Sequence, residues 1–408
     1  MDGIRVLVVA LLLALAPIGG VAVADTTGGN AGLQQQTTAD SDRLMTVHTP
    51  SNTSEYLAPP PDDIDRTDDQ RSSLDVAAAV EADARGLEGA YLRETLERRY
   101  ENADSDAERQ AVVETGIGRL AGQVDELRET ERTAIQRYSD GEITTRELLR
   151  TLGVVTREAG EIDAALEWVE TNAEEIGAES EAERAAAEQV RLVSMDGPVR
   201  SRLVSSLTGG GASRIHVETV SEAIVIATVD RSTNTYLREA YDPSAKTEDV
   251  GDSYDDNPSP ALERFGELYP WTIEGFDSIS VLGPEQVRLY RFGATHSHGN
   301  LETYLDGGSE DVLYERQWID SDGVPSSNVG RVDGDLRIIA TTTRVGGPLG
   351  ITVIDRTTDS EVDAEIGLNG DPVGSTGGDR LWTVAPRGPT TINATYDGRT
   401  VTLETSFE

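Results

Sequence analysis

Apolar residues recur every four and three positions through Leu148, Leu152, Val155, Ala159, Ile162, Leu166, Val169, Ala173 and Ile176. That spacing lays one continuous stripe along a helix, and at this regularity it is the a/d seam of a coiled coil. Val113, Ile117, Leu120, Val124 and Leu127 keep the same spacing, which resumes at Ala134 and Tyr138. Ser139-Asp140-Gly141 between the two runs is a turn signal. The pattern predicts helices over about 106–138 and about 145–177, each about 50 Å long at about 1.5 Å per residue, packed as an antiparallel coiled-coil hairpin. Ser105 with Glu108, Thr144 with Glu147 and Ser180 with Glu183 each fit a capping box, in which hydroxyl and carboxylate satisfy the orphan N–H groups of a helix start. A helix over about 73–100, carrying Leu74, Leu87, Tyr91, Leu92 and Leu96, and a shorter one over about 181–194 are expected to complete a bundle.

After Gly209-Gly210-Gly211, read as a hinge, the period changes to strands. Arg214 to Val220 pairs with Ala223 to Thr228; a long acidic loop from Asp242 to Asp256 and a short helix over about 260–268 follow. Strands resume at Ile273 to Leu282 and Val287 to Phe292. A hairpin then runs from Leu301–Leu305 through an Asp306-Gly307-Gly308-Ser309 turn into Val312–Trp318. The Tyr304-Leu305-Asp306-Gly307-Gly308 and Asp311-Val312-Leu313-Tyr314 segments of that hairpin are similar to the strand pair of PepSY-type α+β domains. The resemblance implies an extracytoplasmic regulatory or inhibitory module. From about Asp335 short alternating strands are punctuated by turns, as in Gly350-Ile351-Thr352-Val353-Ile354-Asp355 and Leu381-Trp382-Thr383-Val384, which reads as a β-sandwich. This stretch resembles the transthyretin-like or carboxypeptidase-regulatory-like modules appended to surface proteins, which implies a structural or adhesive part with no catalytic residues.

The first 24 residues read as a signal peptide, with Arg5 ahead of an apolar run from Val6 to Ala16, a Pro17-Ile18-Gly19-Gly20 break and Ala22-Val23-Ala24 before Asp25. Residues 25–71, rich in Gly, Gln, Thr, Asp and Pro, read as a disordered acidic tether. The expected organisation is therefore multidomain: signal peptide 1–24, tether 25–71, α-helical coiled-coil region 72–208, small α+β domain 212–330 and C-terminal β-sandwich 335–408. An uncleaved N-terminal segment is the one route by which the chain would meet a membrane.

Charge changes the picture most. There are 74 acidic residues against 35 basic ones, a formal charge of −39, and Lys246 is the only lysine. Such self-repulsion opposes a compact fold in dilute buffer, but in molar salt the screening length falls to about 3 Å. With four Phe and three Met, the core is built from small side chains. The pattern resembles exported proteins of haloarchaea, which implies a chain solvated by hydrated cations in concentrated salt. No Lys/Arg cluster in the sequence offers the footprint that nucleic acid requires. The absence of cysteine excludes disulfides, thiolate metal sites and cysteine nucleophiles.

Candidate chemistry is sparse. His296-Ser297-His298 would put two imidazoles on one face of a strand, where zinc could be held with Asp306 or Glu302 as a third ligand. Asp320-Ser321-Asp322-Gly323 and Asp333-Gly334-Asp335 read as acidic turns with at most a weak calcium site, since neither completes an EF-hand loop. His48 and His216 show no partner in the sequence, no nucleophile elbow is present, and Asn52 and Asn393 begin glycosylation sequons. The expected function is an exported, non-enzymatic scaffold or interaction protein whose helical hairpin binds a protein partner or a second copy. The alternatives are a regulator or inhibitor of an extracellular hydrolase, a metal-dependent hydrolase using His296 and His298, and a membrane-anchored sensing ectodomain.

Overall fold

The computed structural model describes residues 43–47, 56–246, 253–254, 257–270, 272, 276–283, 287–296, 298–324 and 326–407. The expected signal segment, His48, Ser297 and the Asn52 sequon lie outside the described residues, as does the side chain of His296. The chain is multidomain: a helical region, then sheets, then a β-sandwich-like region. Among the described residues no helix is long and apolar enough to cross a membrane.

Helices α1 (Val76–Glu101), α2 (Asp106–Ser139), α3 (Thr145–Glu175), α4 (Glu179–Leu192) and α5 (Pro198–Leu207) build the first region. Ser105 caps α2 through the Glu108 amide, and Thr144 closes a complete capping box on α3 with Glu147. Ser180 caps nothing, because α4 already starts at Glu179 behind Ala178. The α3 seam from Leu148 to Ala173 is buried throughout. It faces more than one partner, since α1, α2, α4 and α5 all pack on α3. The α1 contact is close: its inner face is Ala78, Ala82, Gly86 and Gly89, and a Cβ on Gly89 would stand 2.7 Å from Glu161 Cβ. Gly89→Ala should therefore lower stability by about 1–3 kcal/mol from overpacking, outweighing the roughly 1 kcal/mol of helix propensity gained. Thermal unfolding reads the sign directly, and a stabilised variant would mean that α1 lies further from α3 than it does here.

The second region is one eight-stranded antiparallel sheet. Its strands are β3 (Arg66–Ser72), β4 (Ser213–Val220), β5 (Ala223–Asp230), β6 (Thr235–Tyr241), β7 (Phe276–Leu282), β8 (Leu289–His296), β9 (Gly299–Asp306) and β10 (Val312–Asp320). They run in the order β3-β4-β5-β6-β10-β9-β8-β7, two four-stranded meanders joined through β6 and β10. Two expectations change here. Residues 66–72 form the edge strand β3 in full register with β4, where the composition read as tether. Strand β6 was hidden because its TYLREAY run carries Arg238 and Glu239 in a fully buried stretch.

Burial on both faces explains the near-continuous apolar reading of β4 and β5. One face, through Ile215, Val217, Ile224 and Ile226, packs on Ile135, Tyr138, Leu148 and Leu203 of the helices. The other face is covered at one end by α6 (Pro258–Leu268) and by Leu44 and Leu57 of a small hairpin, β1 (Met45–Val47) with β2 (Tyr56–Ala58). Its other end, through Ala227, Val229, Tyr236 and Ile319, meets Trp382 and Val384 of the sandwich. Gly209-Gly210-Gly211, expected as a hinge, is a tight turn from α5 into β4; Gly209 and Gly211 take φ of +101° and +100°, which a residue with a Cβ resists.

The sandwich comprises β11 (Ser327–Asp333), β12 (Leu336–Thr342), β13 (Pro348–Asp355), β14 (Ser360–Glu361) and β17 (Arg380–Val384) in one sheet. Strands β15 (Glu365–Leu368), β16 (Asp371–Ser375), β18 (Gly388–Tyr396) and β19 (Arg399–Phe407) form the other. Inward residues such as Ile338, Ile351, Val353, Ile366, Ile392 and Leu403 form its core.

Candidate functional site

Strand pairing brings Asp69 of β3 opposite His216 of β4, on the face the sandwich covers. His216 is fully buried, with Nδ1 3.2 Å from Asp69 Oδ1. Its Nε2 lies 3.4 Å from Glu218 Oε1, an ion contact rather than an aligned hydrogen bond. Arg387, just after β17, donates to the same Glu218 oxygen at 2.9 and 3.0 Å. Burial alone pushes an imidazole down, but Asp69 and Glu218 overcome it and raise His216 to about 10. Burial would raise Glu218; His216 and then Arg387 bring it down to about 2. A residue that looked unpartnered in sequence is the centre of a charge cluster. Glu218 lies two residues on along β4, on the same face, but Asp69 lies 147 residues before His216 and Arg387 lies within the sandwich, so the local sequence could show one member of the cluster and not the cluster.

A second buried cluster joins helices to sheet. Arg200, 1% exposed, donates to Glu131 of α2 at 2.5 Å and lies 3.4 Å from Glu239 of β6. The other Glu239 oxygen accepts from the backbone N–H groups of Val199 and Arg200, so one carboxylate caps α5 and neutralises the arginine. Gly197 is required here: a Cβ would stand 2.3 Å from Glu239 and 2.4 Å from the Tyr314 hydroxyl.

Beside the His216 cluster, two adjoining cavities of about 330 and 30 Å³ open between the sheet and the sandwich. Arg71, Arg214 and Arg231 line the larger, and Arg202 joins Arg214 and Arg231 around the smaller. Burial, then the charges of Arg71 and Arg214, pull the Arg231 guanidinium below its ordinary range, although the residue keeps a solvent-facing side. A larger groove of about 1230 Å³ runs between α3–α4 and the β7–β10 end of the sheet. Its helical wall carries Asp163, Glu167, Glu170 and Glu174, and Arg291 and Arg316 stand on the sheet side. Burial, helped by Glu167 and Asp196, lifts Asp163 to about 6.

The predicted metal residues are distributed differently. His296 ends β8 and pairs with Gly299 at the start of β9, so His296 and His298 stand at the junction of the two strands and not along one strand. Asp306 sits at the far end of β9, opposite Leu289, and binds Lys246 Nζ at 2.6 Å. Glu302 faces Arg291 and Arg316. Neither carboxylate is placed as the third ligand the sequence offered, because strand pairing separates one and ion pairs engage the other. Among the described residues no group of three His, Asp or Glu could hold a metal. Asp320 and Asp322 form a self-bonded turn, with Asp322 also accepting from Trp382 Nε1 at 3.3 Å. Asn393 lies within β18, where its amide oxygen accepts from Thr402.

Residues 1–212 match a domain of unknown function, DUF7096. The chain belongs to that family. Residues 215–325 match a second family of unknown function, DUF7094, where the hairpin had suggested a PepSY-type domain. Residues 328–403 match the archaeal fibronectin-III type-like domain, which takes the place of the transthyretin-like reading and makes this an archaeal multidomain protein with a C-terminal β-sandwich. No curated protein and no solved structure matches the chain. The family boundaries do not coincide with the packing. Strand β3 belongs to the first matched segment and pairs with β4 of the second. The His216 cluster draws Asp69, His216 with Glu218, and Arg387 from the three segments in turn.

Proposed function

We propose that this is an exported, salt-adapted, non-enzymatic scaffold that assembles with a second copy of itself through α1. The observation that carries the reading is the inverted face of that helix. Ala and Gly line its buried side from Ala78 to Gly89, while Val76, Val80, Leu87 and Tyr91 point outward, 63–72% exposed. Sequence reasoning had placed Leu87 and Tyr91 in the bundle core. At about 100° per residue the four lie within a 60° arc. Their spacing of four, seven and four reads the same in both directions, so an antiparallel twofold pairing sets Val76 against Tyr91 and Val80 against Leu87 of the other copy. Small flanks at Ala77, Ala79, Ala84 and Ala90 allow close approach. Asp83, exposed at the dyad, would meet its own counterpart. That repulsion is relieved only when salt screens it, so charge and apolar contact both favour the dimer in concentrated salt. The acidic excess and the Val6–Ala16 run ahead of Ala22-Val23-Ala24 support export into such a medium.

Sedimentation of the full chain should show a dimer in about 2 M salt. Leu87→Glu should weaken it on the order of 100-fold or more, because the substitution acts twice across a twofold axis. Helical circular dichroism of the variant should be unchanged. A wild-type monomer at every salt concentration would overturn the proposal, as would a dimer indifferent to Leu87→Glu.

A further inference from the structure

In a chain with 74 acidic residues, a convergence of four arginines whose one carboxylate contact is Arg214 with Asp69 at 3.8 Å calls for a reason. The β3–β4 register sets Arg71 directly opposite Arg214, and like charges opposed across a strand pair are destabilising. Arg231, on the β5–β6 turn, and Arg202, on α5, close around the same cleft. Arg202 gives its Nε to Ser213 Oγ and Arg231 one amino group to the Val373 carbonyl. Among the described residues Arg71, Arg202 and Arg231 make no ion pair, and Arg214 reaches Asp69 only at 3.8 Å. The Arg214 side chain is nine-tenths buried, yet its Nε has no hydrogen-bond acceptor, and neither has the Thr383 hydroxyl on the sandwich wall of the cleft.

We propose that this cleft, ringed by Arg71, Arg202, Arg214 and Arg231 where the helical region, central sheet and sandwich meet, binds a phosphate or sulfate group. A tetrahedral oxyanion accepts several hydrogen bonds at once and matches the guanidinium fork, which a spherical chloride does not. It would end the repulsion between Arg71 and Arg214 and satisfy the free Nε and hydroxyl. Arg71 and Arg231 stand at the solvent-facing mouth, so the group can be a free anion or an ester on a larger molecule. Glu365 on the rim disfavours a second negative group close by. An oxyanion here would also tie the sandwich to the rest of the chain, since Val373 and Thr383 belong to the former, Arg71 and Arg214 to the sheet, Arg231 to the β5–β6 turn and Arg202 to α5.

The test is thermal unfolding of the full chain at constant ionic strength in about 2 M KCl, titrated separately with inorganic phosphate, sulfate and glucose 6-phosphate. A saturable rise in midpoint is expected, with apparent affinity at least about tenfold weaker in R71Q and R231Q. Saturation at lower concentration by glucose 6-phosphate identifies an ester as the better ligand; saturation first by phosphate or sulfate identifies the free anion. Without added oxyanion R71Q should be at least as stable as wild type, because the opposed charges are gone; a purely structural arginine would leave it less stable. Phosphate and sulfate also stabilise proteins by exclusion from their surfaces, an effect that does not saturate and that the variants would share. An unsaturable rise of that kind, equal in wild type and both variants, would overturn the proposal, as would no shift with any of the three probes.

Discussion

Replacing Arg200 by Met should cost about 3–5 kcal/mol, the range for removing one partner of a buried ion pair. Met keeps most of the apolar stem, so the loss is electrostatic rather than a cavity. Glu131 and Glu239, both 2% exposed, would be left facing each other with their cation gone. Burial already raises Glu239, and Arg200 is the first of the groups holding it down. Without Arg200 the Glu239 carboxylate should take up a proton on folding. For an acid whose folded pKa is raised, stability is present below its unfolded value and is lost as pH rises, so the variant should be relatively more stable near pH 5 than near pH 8. Denaturant unfolding at the two pH values measures both effects. A loss below about 1 kcal/mol, with no change in pH slope, would mean that water reaches this cluster.

The second large effect concerns His216. Its folded pKa of about 10 exceeds the ordinary 6.5, so its contribution is complete below about 6.5 and is lost as pH rises towards 10. Glu218, depressed from 4.5 to about 2, contributes above about 4.5 and loses that contribution as pH falls towards 2. The sandwich junction should therefore be tightest between about pH 4.5 and 6.5. One proton taken up on folding corresponds to a fall of at most about 1.4 kcal/mol per pH unit above that window. Because the pair is buried, molar salt screens it little. His216→Asn should lose about 3–5 kcal/mol at pH 6, since Asp69 and Glu218 are left without their shared cation, and its stability should vary less between pH 6.5 and 9. Unfolding midpoints across that range decide it: a variant with the wild-type slope would assign the pH dependence to another group.

Helices α2 and α3, their seams, the Ser105 cap of α2 and the Thr144–Glu147 capping box of α3 were legible because each depends on residues within a turn or two of one another. The alternating strands of the sandwich were legible for the same reason, although alternation alone could not separate a fibronectin-III type module from a transthyretin-like one. Strand β3 was misread because an edge strand that is largely exposed or half-buried tolerates Asp68, Asp69 and Gln70, which in composition look like tether. Strand β6 was missed because Arg238 and Glu239 signal exposure, and only the tertiary structure supplies Glu315 and Arg200 to neutralise them.

The sequence by itself determined that a helical region precedes sheets and a C-terminal β-sandwich, where α2 and α3 start and roughly how long they run, and the acidic excess, since all of these rest on local periodicity or on summed composition. Only the tertiary structure decided which face of α1 is left bare, which carboxylates surround His216 and Arg200, and that four arginines spread over 160 residues close on one cleft. Each depends on elements packed together across long stretches of chain, and no local pattern encodes a contact whose partner lies in another layer.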